Sequence, residues 1–128
     1  MNYLTIEEVI LIHEYELQTH GGIPGIRSIE LLESAIYRPK TSFGGKEMFN
    51  TIFEKSAVLI HAIIQSHPFI DGNKRTAVVA GIALLKINGW NILLKQEKLV
   101  ESALKVANRE LGITELSNLL KKSSQHRS

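Results

Sequence analysis

Two apolar runs, Ile52 to Ile64 and Ala77 to Ile87, do most to limit what this chain can fold into. The first carries Phe53, Ala57, Val58, Ile60, Ala62 and Ile63; the second carries Ala77, Val78, Val79, Ile82, Ala83, Leu84 and Leu85. As helices both are apolar on most faces, and such helices belong inside a core. Between them lies His67-Pro-Phe-Ile-Asp-Gly-Asn-Lys-Arg-Thr76. Pro68 disfavours helix at the residue before it and Gly72 frees the backbone. The first helix therefore spans Ile52 to Ser66, capped by Thr51-Ile-Phe-Glu54, and the second spans Asn73 to Ile87, ended by Asn88-Gly89. Two buried helices joined by this loop hold it rigidly.

The charges after the loop are unusual for a helix start. Lys74 and Arg75 fall in the first turn, where unpaired N–H groups and the macrodipole already present positive charge and an acid is preferred. Each cation there costs about 0.3–1 kcal/mol unless an anion answers it. A phosphate answers it well. Asp71 beside a phosphate makes sense when it holds Mg²⁺ against that phosphate, since Mg²⁺ binds through one or two carboxylates plus phosphate oxygens. His67 is the one group of the stretch that titrates near neutrality, which makes it the general base. The residues thus outline transfer of a phosphate-bearing group from a nucleotide to a hydroxyl. Phe69 belongs to the core and anchors the loop; Pro68 and Gly72 shape it, and the Gly72 N–H can donate to a phosphate. Duller roles exist for each: Asp71 or Asn73 as helix caps, Lys74 and Arg75 as a solvated face, and Thr76 as helix packing.

The flanks complete a helical chain. Thr5-Ile-Glu-Glu8 fits a capping box for a helix over Ile6 to Thr19, with Val9, Ile12 and Leu17 inward, stopped by Gly21-Gly22. Ser28 caps a second helix, with Leu31, Leu32 and Ala35 inward, that ends before Pro39. Arg38 to Asn50 is a long loop or a short hairpin. Trp90 to Lys95 is briefly extended, Glu97 to Leu111 is a helix stopped by Gly112, and Thr114 caps a last helix through Leu116, Leu119 and Leu120. The expectation is an all-α bundle of about six helices in one domain over residues 1–120, with a disordered polar tail over residues 121–128.

Composition closes off several classes. At 128 residues the chain has room for one core. A net charge of +2 falls short of the dense basic stripe of a nucleic-acid binder, so no direct nucleic-acid role is expected. Without cysteine there are no disulfides or thiolate metal sites. No apolar run approaches the roughly 18 residues of a membrane span, and the N-terminus lacks a signal-peptide pattern, so a cytoplasmic location with no membrane partner is expected. His61 and His67 stand six apart, a spacing that does not align two zinc ligands on one helical face. His13, His20 and His126 read as surface residues. Gly44-Gly-Lys46 lacks the spacing of a P-loop.

The stretch from His67 to Thr76 resembles the signature of the Fic/Doc superfamily, and within it the Doc branch, toxins of "death on curing" toxin–antitoxin pairs. His20-Gly-Gly-Ile-Pro-Gly-Ile-Arg27, Leu31-Leu-Glu-Ser-Ala-Ile-Tyr-Arg-Pro39 and Asn88-Gly-Trp90 agree with it, so the resemblance runs to about Leu120. It implies that His67 is the base on a target hydroxyl, that Asp71 binds Mg²⁺, and that Asn73, Lys74 and Arg75 contact the phosphates of ATP. It also implies that the segment before the central helices is a flap that pairs with the target backbone. Arg27, Glu33 and Arg38 match charged positions of the Doc pattern and equally suit structural ion pairs.

Departures from the wider superfamily bear on the reaction. Fic enzymes that transfer AMP carry a second Gly and a second Arg; here those positions are Lys74 and Val78. The Doc branch shares the Lys and delivers the γ-phosphate of ATP, acting as a protein kinase on a threonine of elongation factor Tu and arresting translation. The resemblance therefore implies a Mg·ATP-dependent kinase toxin acting on a Thr or Ser of a translation factor. AMP or nucleotidyl transfer and a non-catalytic antitoxin-binding operon co-regulator are the alternatives. No Ser or Thr here is followed four residues on by Glu, as the inhibitory motif of self-restrained Fic proteins requires. Restraint is thus expected from a small Phd-like antitoxin whose C-terminal segment blocks the toxin.

Overall fold

The computed structural model describes residues 1–127. Its elements are α1 (Ile6–His20), α2 (Ile29–Tyr37), a 3₁₀ turn (Arg38–Lys40), β1 (Ser42–Phe43), β2 (Lys46–Glu47), α3 (Ile52–Ser66), α4 (Asn73–Ile87), β3 (Trp90–Ile92), α5 (Gln96–Ala107), α6 (Ile113–Lys122) and β4 (Ser124–His126). Six helices with two small antiparallel ribbons make the expected helical fold.

The two apolar runs become α3 and α4, which pack on each other at the centre. α2, α5 and α6 cover α3, while α1, α5 and β3 cover α4. Ala57, Ile63, Ile64, Ala77, Ala80, Leu84 and Leu85 are buried along the seam. Burying each of the large side chains is worth about 1.5–3 kcal/mol. Gly81 lets the two axes approach: a Cβ there would lie 2.5 Å from Ile60 Cδ1. Three of the expected caps form. Thr5 Oγ1 accepts from the Glu8 N–H at 3.1 Å while Glu8 reaches back to the Thr5 N–H, and Ser28 and Thr51 cap α2 and α3.

Four sequence expectations need correction. Leu31 is exposed, and Ile36 joins Leu32 and Ala35 in the core instead. α5 ends at Ala107, because the chain turns through Asn108 and Arg109, the latter at φ 62°. Gly112 rather than Thr114 precedes the last helix, its N–H donating to Glu115 at 3.0 Å. Finally, the polar tail is ordered at least to Arg127. α6 continues to Lys122, and Ser124–His126 pair antiparallel with Trp90–Ile92. The tail buries little by itself; it is held because Trp90 stacks edge-on against both Phe53 and His126, and because Arg127 donates to the Lys86 carbonyl near the C-terminal end of α4.

The segment between α2 and α3 resolves into a hairpin, with Gly44 and Gly45 both at positive φ in its turn. Its root rests on Lys55, a buried cation whose Nζ donates to Glu47 Oε1 at 3.0 Å and to the Pro39 carbonyl at 3.2 Å. Burial pulls the Lys55 pKa down, but Glu47 and Tyr3 outweigh it and raise it above the ordinary lysine value. The tip carries Phe43, 86% exposed.

Candidate active site

The loop between α3 and α4 is fixed from three sides. From the α1–α2 connection, the N–H groups of Arg27 and Ser28 both donate to the Pro68 carbonyl (2.7 and 3.1 Å). The Ile70 N–H returns a bond to Gly25 (3.0 Å), and Ile26 bridges Phe69. From below, Phe69 is buried and stacked flat on the His13 ring, centroids 3.8 Å apart. From α4, the buried Asn73 amide brackets Phe69, its Oδ1 accepting from the Phe69 N–H (3.0 Å) and its Nδ2 donating to the Phe69 carbonyl (2.9 Å). Pro68 thus offers its carbonyl to the α1–α2 connection, and Phe69 is buried between His13 and the Asn73 amide. Asn73 does more than cap a helix: its amide holds the loop closed.

His67 ends α3 with φ 51° and ψ 59°. Side chains other than glycine seldom take this left-handed conformation, which costs about 1–3 kcal/mol. Its N–H still bonds Ile63, and its ring is exposed at the mouth of the loop. Arg27 secures the strained residue. Nε donates to the His67 carbonyl at 2.6 Å and Nη2 to the Ser66 carbonyl at 2.5 Å, placing a cation at the negative end of α3. The structure thus gives Arg27 carbonyl partners rather than an ion pair.

Asp71 is exposed, and both of its carboxylate oxygens accept backbone donors. Oδ2 takes the Ile23 N–H at 3.1 Å and Oδ1 the Gly72 N–H at 2.8 Å. These two bonds, helped by the charge of Lys74, hold its carboxyl below the ordinary carboxylate range. Gly22 is what lets the Ile23 N–H come so close, since a Cβ on Gly22 would stand 3.1 Å from Oδ2. The Gly72 N–H, expected to face a phosphate, is therefore committed to Asp71. A fixed, exposed carboxylate held low by two backbone donors, with lone pairs to spare, is a donor of the kind that would suit Mg²⁺.

Helix α4 starts beside that carboxylate. Its first intrahelical bond runs from the Thr76 N–H to the Gly72 carbonyl, so among the described residues nothing accepts from the N–H groups of Asn73, Lys74 and Arg75. Lys74 and Arg75 are half-buried at this end, and Arg75 Nη1 lies 3.5 Å from His20 Nε2. The turn has no acid of its own to balance these charges. Val78 is buried in the core, so that position adds no cation to the start of α4.

Two α1 residues escaped the sequence reading. His13, taken for a surface residue, is 3% exposed, and its Nε2 bonds the Asp71 carbonyl at 2.8 Å. Glu16 is 5% exposed, with His20 Nε2 3.7 Å from its Oε1. The available signal was their position four and seven residues beyond buried Val9, on the same helical face. His61, by contrast, lines a separate groove of about 310 Å³ with Leu31, Ala35, Arg38, Val58 and Ile113, which reaches Ser66 next to the loop. Burial, then Arg38 and Arg109, lower the His61 pKa.

Comparison with known proteins places these features among relatives. The model of the Fic/DOC family matches residues 3–85, more than half of the chain. The chain is 28% identical over 122 residues to "Protein kinase doc" of Escherichia phage P1, covering 95% of each. It is 36% identical over 69 residues to "Toxin Doc" of Mycolicibacterium smegmatis, covering 54% of this chain and 53% of that protein.

Proposed function

This chain belongs to the Fic/DOC family, and we propose that it is a Doc-type toxin that phosphorylates a protein hydroxyl with the γ-phosphate of Mg·ATP. The observation that carries the reading is the start of α4: three unpaired N–H groups and two cations beside an ionised carboxylate. A phosphate-bearing ligand would balance those charges, and Mg²⁺, when bound, would supply neutralisation of negative charge on it. Asp71 would hold the metal. Lys74, Arg75 and the free N–H groups stabilise negative charge on the transferred group, and His67 takes the proton of the target hydroxyl. Lys74 in place of a glycine and a buried Val78 in place of a second arginine favour γ-phosphoryl over AMP transfer.

The target that the Doc resemblance carries is a threonine of elongation factor Tu, so translation arrest is the proposed outcome. The β1–β2 hairpin is the edge on which the target backbone would pair. The proposed partner is a small Phd-like antitoxin. Its inhibitory segment would seat in the groove between α2, α3 and α6, whose apolar floor carries Arg38 and His61 and whose end at Ser66 adjoins His67. An apolar segment with acidic residues suits that surface.

The test is incubation of the purified chain with Mg²⁺, elongation factor Tu and ATP labelled at either the α or the γ phosphate, with His67→Ala alongside. Transfer of γ label alone, lost in the variant, is the expected result. Transfer of α label refutes the kinase reading, and undiminished transfer by His67→Ala refutes the base assignment.

A further inference from the structure

The carboxylate of Asp71 is held by two backbone donors, but those bonds are only as well placed as the backbone of Asp71 itself. That backbone is secured from α1. His13 Nε2 lies 2.8 Å from the Asp71 carbonyl oxygen. A carbonyl accepts and never donates, so Nε2 carries the hydrogen and His13 is the donor. The ring is 3% exposed and lies parallel to Phe69, within 8°. Its Cδ2 and Nε2 edge also stands 3.6 Å from where a Cβ on Gly72 would project. One buried ring therefore touches the anchor of the loop and both residues that lead into α4.

The Asp71 carbonyl has a second significance. It is the acceptor that the Arg75 N–H would use if α4 began one residue earlier. In the structure the carbonyl accepts from His13, α4 opens with the Thr76 N–H on Gly72, and among the described residues nothing accepts from the Arg75 N–H. The carbonyl keeps a second lone pair, so the His13 bond does not itself exclude the Arg75 N–H; it fixes the backbone of Asp71 at the point where the helix opens.

We infer that His13 is a positioning residue for the site: as an Nε2–H donor to the Asp71 carbonyl, it sets the carboxylate and the open first turn of α4 in register for a metal-bound phosphate. This rests on the proposed reading of Asp71 as the metal-holding residue. Packing alone would give a different pattern of variants. His13→Phe keeps a flat ring on Phe69 and removes the donor; His13→Gln removes the ring and can still offer an N–H to the carbonyl.

The experiment has two arms that do not share a failure. In the first, long-range proton–nitrogen NMR of the ¹⁵N-histidine protein, without nucleotide, reads the His13 tautomer. An Nε2–H imidazole is expected; a ring protonated only at Nδ1 overturns the inference whatever the enzyme does. In the second, Mn²⁺ binding in the presence of ATP is titrated for wild type, His13→Phe and His13→Gln, together with the Mg²⁺ dependence of γ-phosphate transfer. His13→Phe should need at least tenfold more metal for half-saturation, and His13→Gln should recover a substantial part of that loss. Equal metal affinity in wild type and His13→Phe, or equal loss in both variants, overturns the positioning role. Should His13→Phe not fold, His13→Met supplies the donor-free comparison with His13→Gln. If wild type transfers no phosphate while the tautomer and the Mn²⁺ series hold, the kinase reading falls and the positioning role stands.

Discussion

Asn73 separates loop support from nucleotide contact more sharply than any other residue of the motif. Its side chain is 7% exposed and spends one acceptor and one donor on the backbone of Phe69, itself 1% exposed. Asn73→Ala would leave that N–H and that carbonyl without partners in a site too tight for easy hydration. Each buried orphan costs about 1–3 kcal/mol, so with two of them the variant should lose about 2–6 kcal/mol. That is a large share of the roughly 5–15 kcal/mol that holds a domain together. Asn73→Asp makes the better control. It can still accept from the Phe69 N–H, and a negative charge at the start of α4 is favourable by about 0.3–1 kcal/mol, but it sets a carboxylate oxygen against the Phe69 carbonyl. Its loss should equal or exceed that of Ala despite the better helix position. Urea unfolding followed by circular dichroism, with m checked for constancy, measures both. If Asn73→Ala unfolds within about 0.5 kcal/mol of wild type while phosphate transfer collapses, the side chain serves the nucleotide and the bracketing argument is refuted.

Other expectations follow from the same geometry. Arg27→Lys keeps the charge but loses the planar fork whose two nitrogens meet the Ser66 and His67 carbonyls; with exposure discounting the charged bonds, it should cost about 1–2 kcal/mol in urea unfolding and should slow transfer by displacing His67, and wild-type values for both would sink the account. The Asp71 carboxyl is held low in the folded chain, so its stabilisation is fully present above the ordinary carboxylate value near pH 4 and is lost as pH falls through the folded value; acid unfolding of Asp71→Asn should lack that component, and a difference appearing only above pH 6 would contradict it. His67→Gly should be inactive yet at least as stable as His67→Ala, because glycine tolerates the left-handed backbone that alanine does not; thermal melts of the pair decide it. Leu31→Asp, at an exposed groove position, should leave phosphate transfer intact while weakening neutralisation by an antitoxin, which co-purification would show.

Much of this was legible in the chain because it depends on local grammar. Thr5, Ser28 and Thr51 announce helix starts by the chemistry of one side chain and the next turn, and Pro68 and Gly72 punctuate the loop whatever surrounds it. The misses are residues whose role is set by distant partners. His13 looks like any surface histidine until Asp71, far along the chain, supplies a carbonyl and Phe69 a ring face. The tail looks disordered until Trp90 and the end of α4 give it something to pair with. Lys55 would be placed outside by its charge, and it is inside because Glu47 and the Pro39 carbonyl meet it there.

These misses share a physical cause that bears on the site. A loop holding a strained His67 gets little from its own backbone, which departs from both helix and strand, and within the motif the Asn73 amide on Phe69 supplies only part of what holds it. The remaining bonds that fix it come from elsewhere: Arg27 and Ser28 on Pro68, Gly25 on Ile70, His13 on Asp71, Ile23 on the carboxylate. All of them come from α1 or the connection after it. Substitutions in residues 13–28 should therefore impair transfer out of proportion to their distance from His67 in sequence, and equally conservative changes in α5 should not. A scan in which both segments gave the same ratio of lost activity to lost stability would show that the loop keeps its shape without this brace.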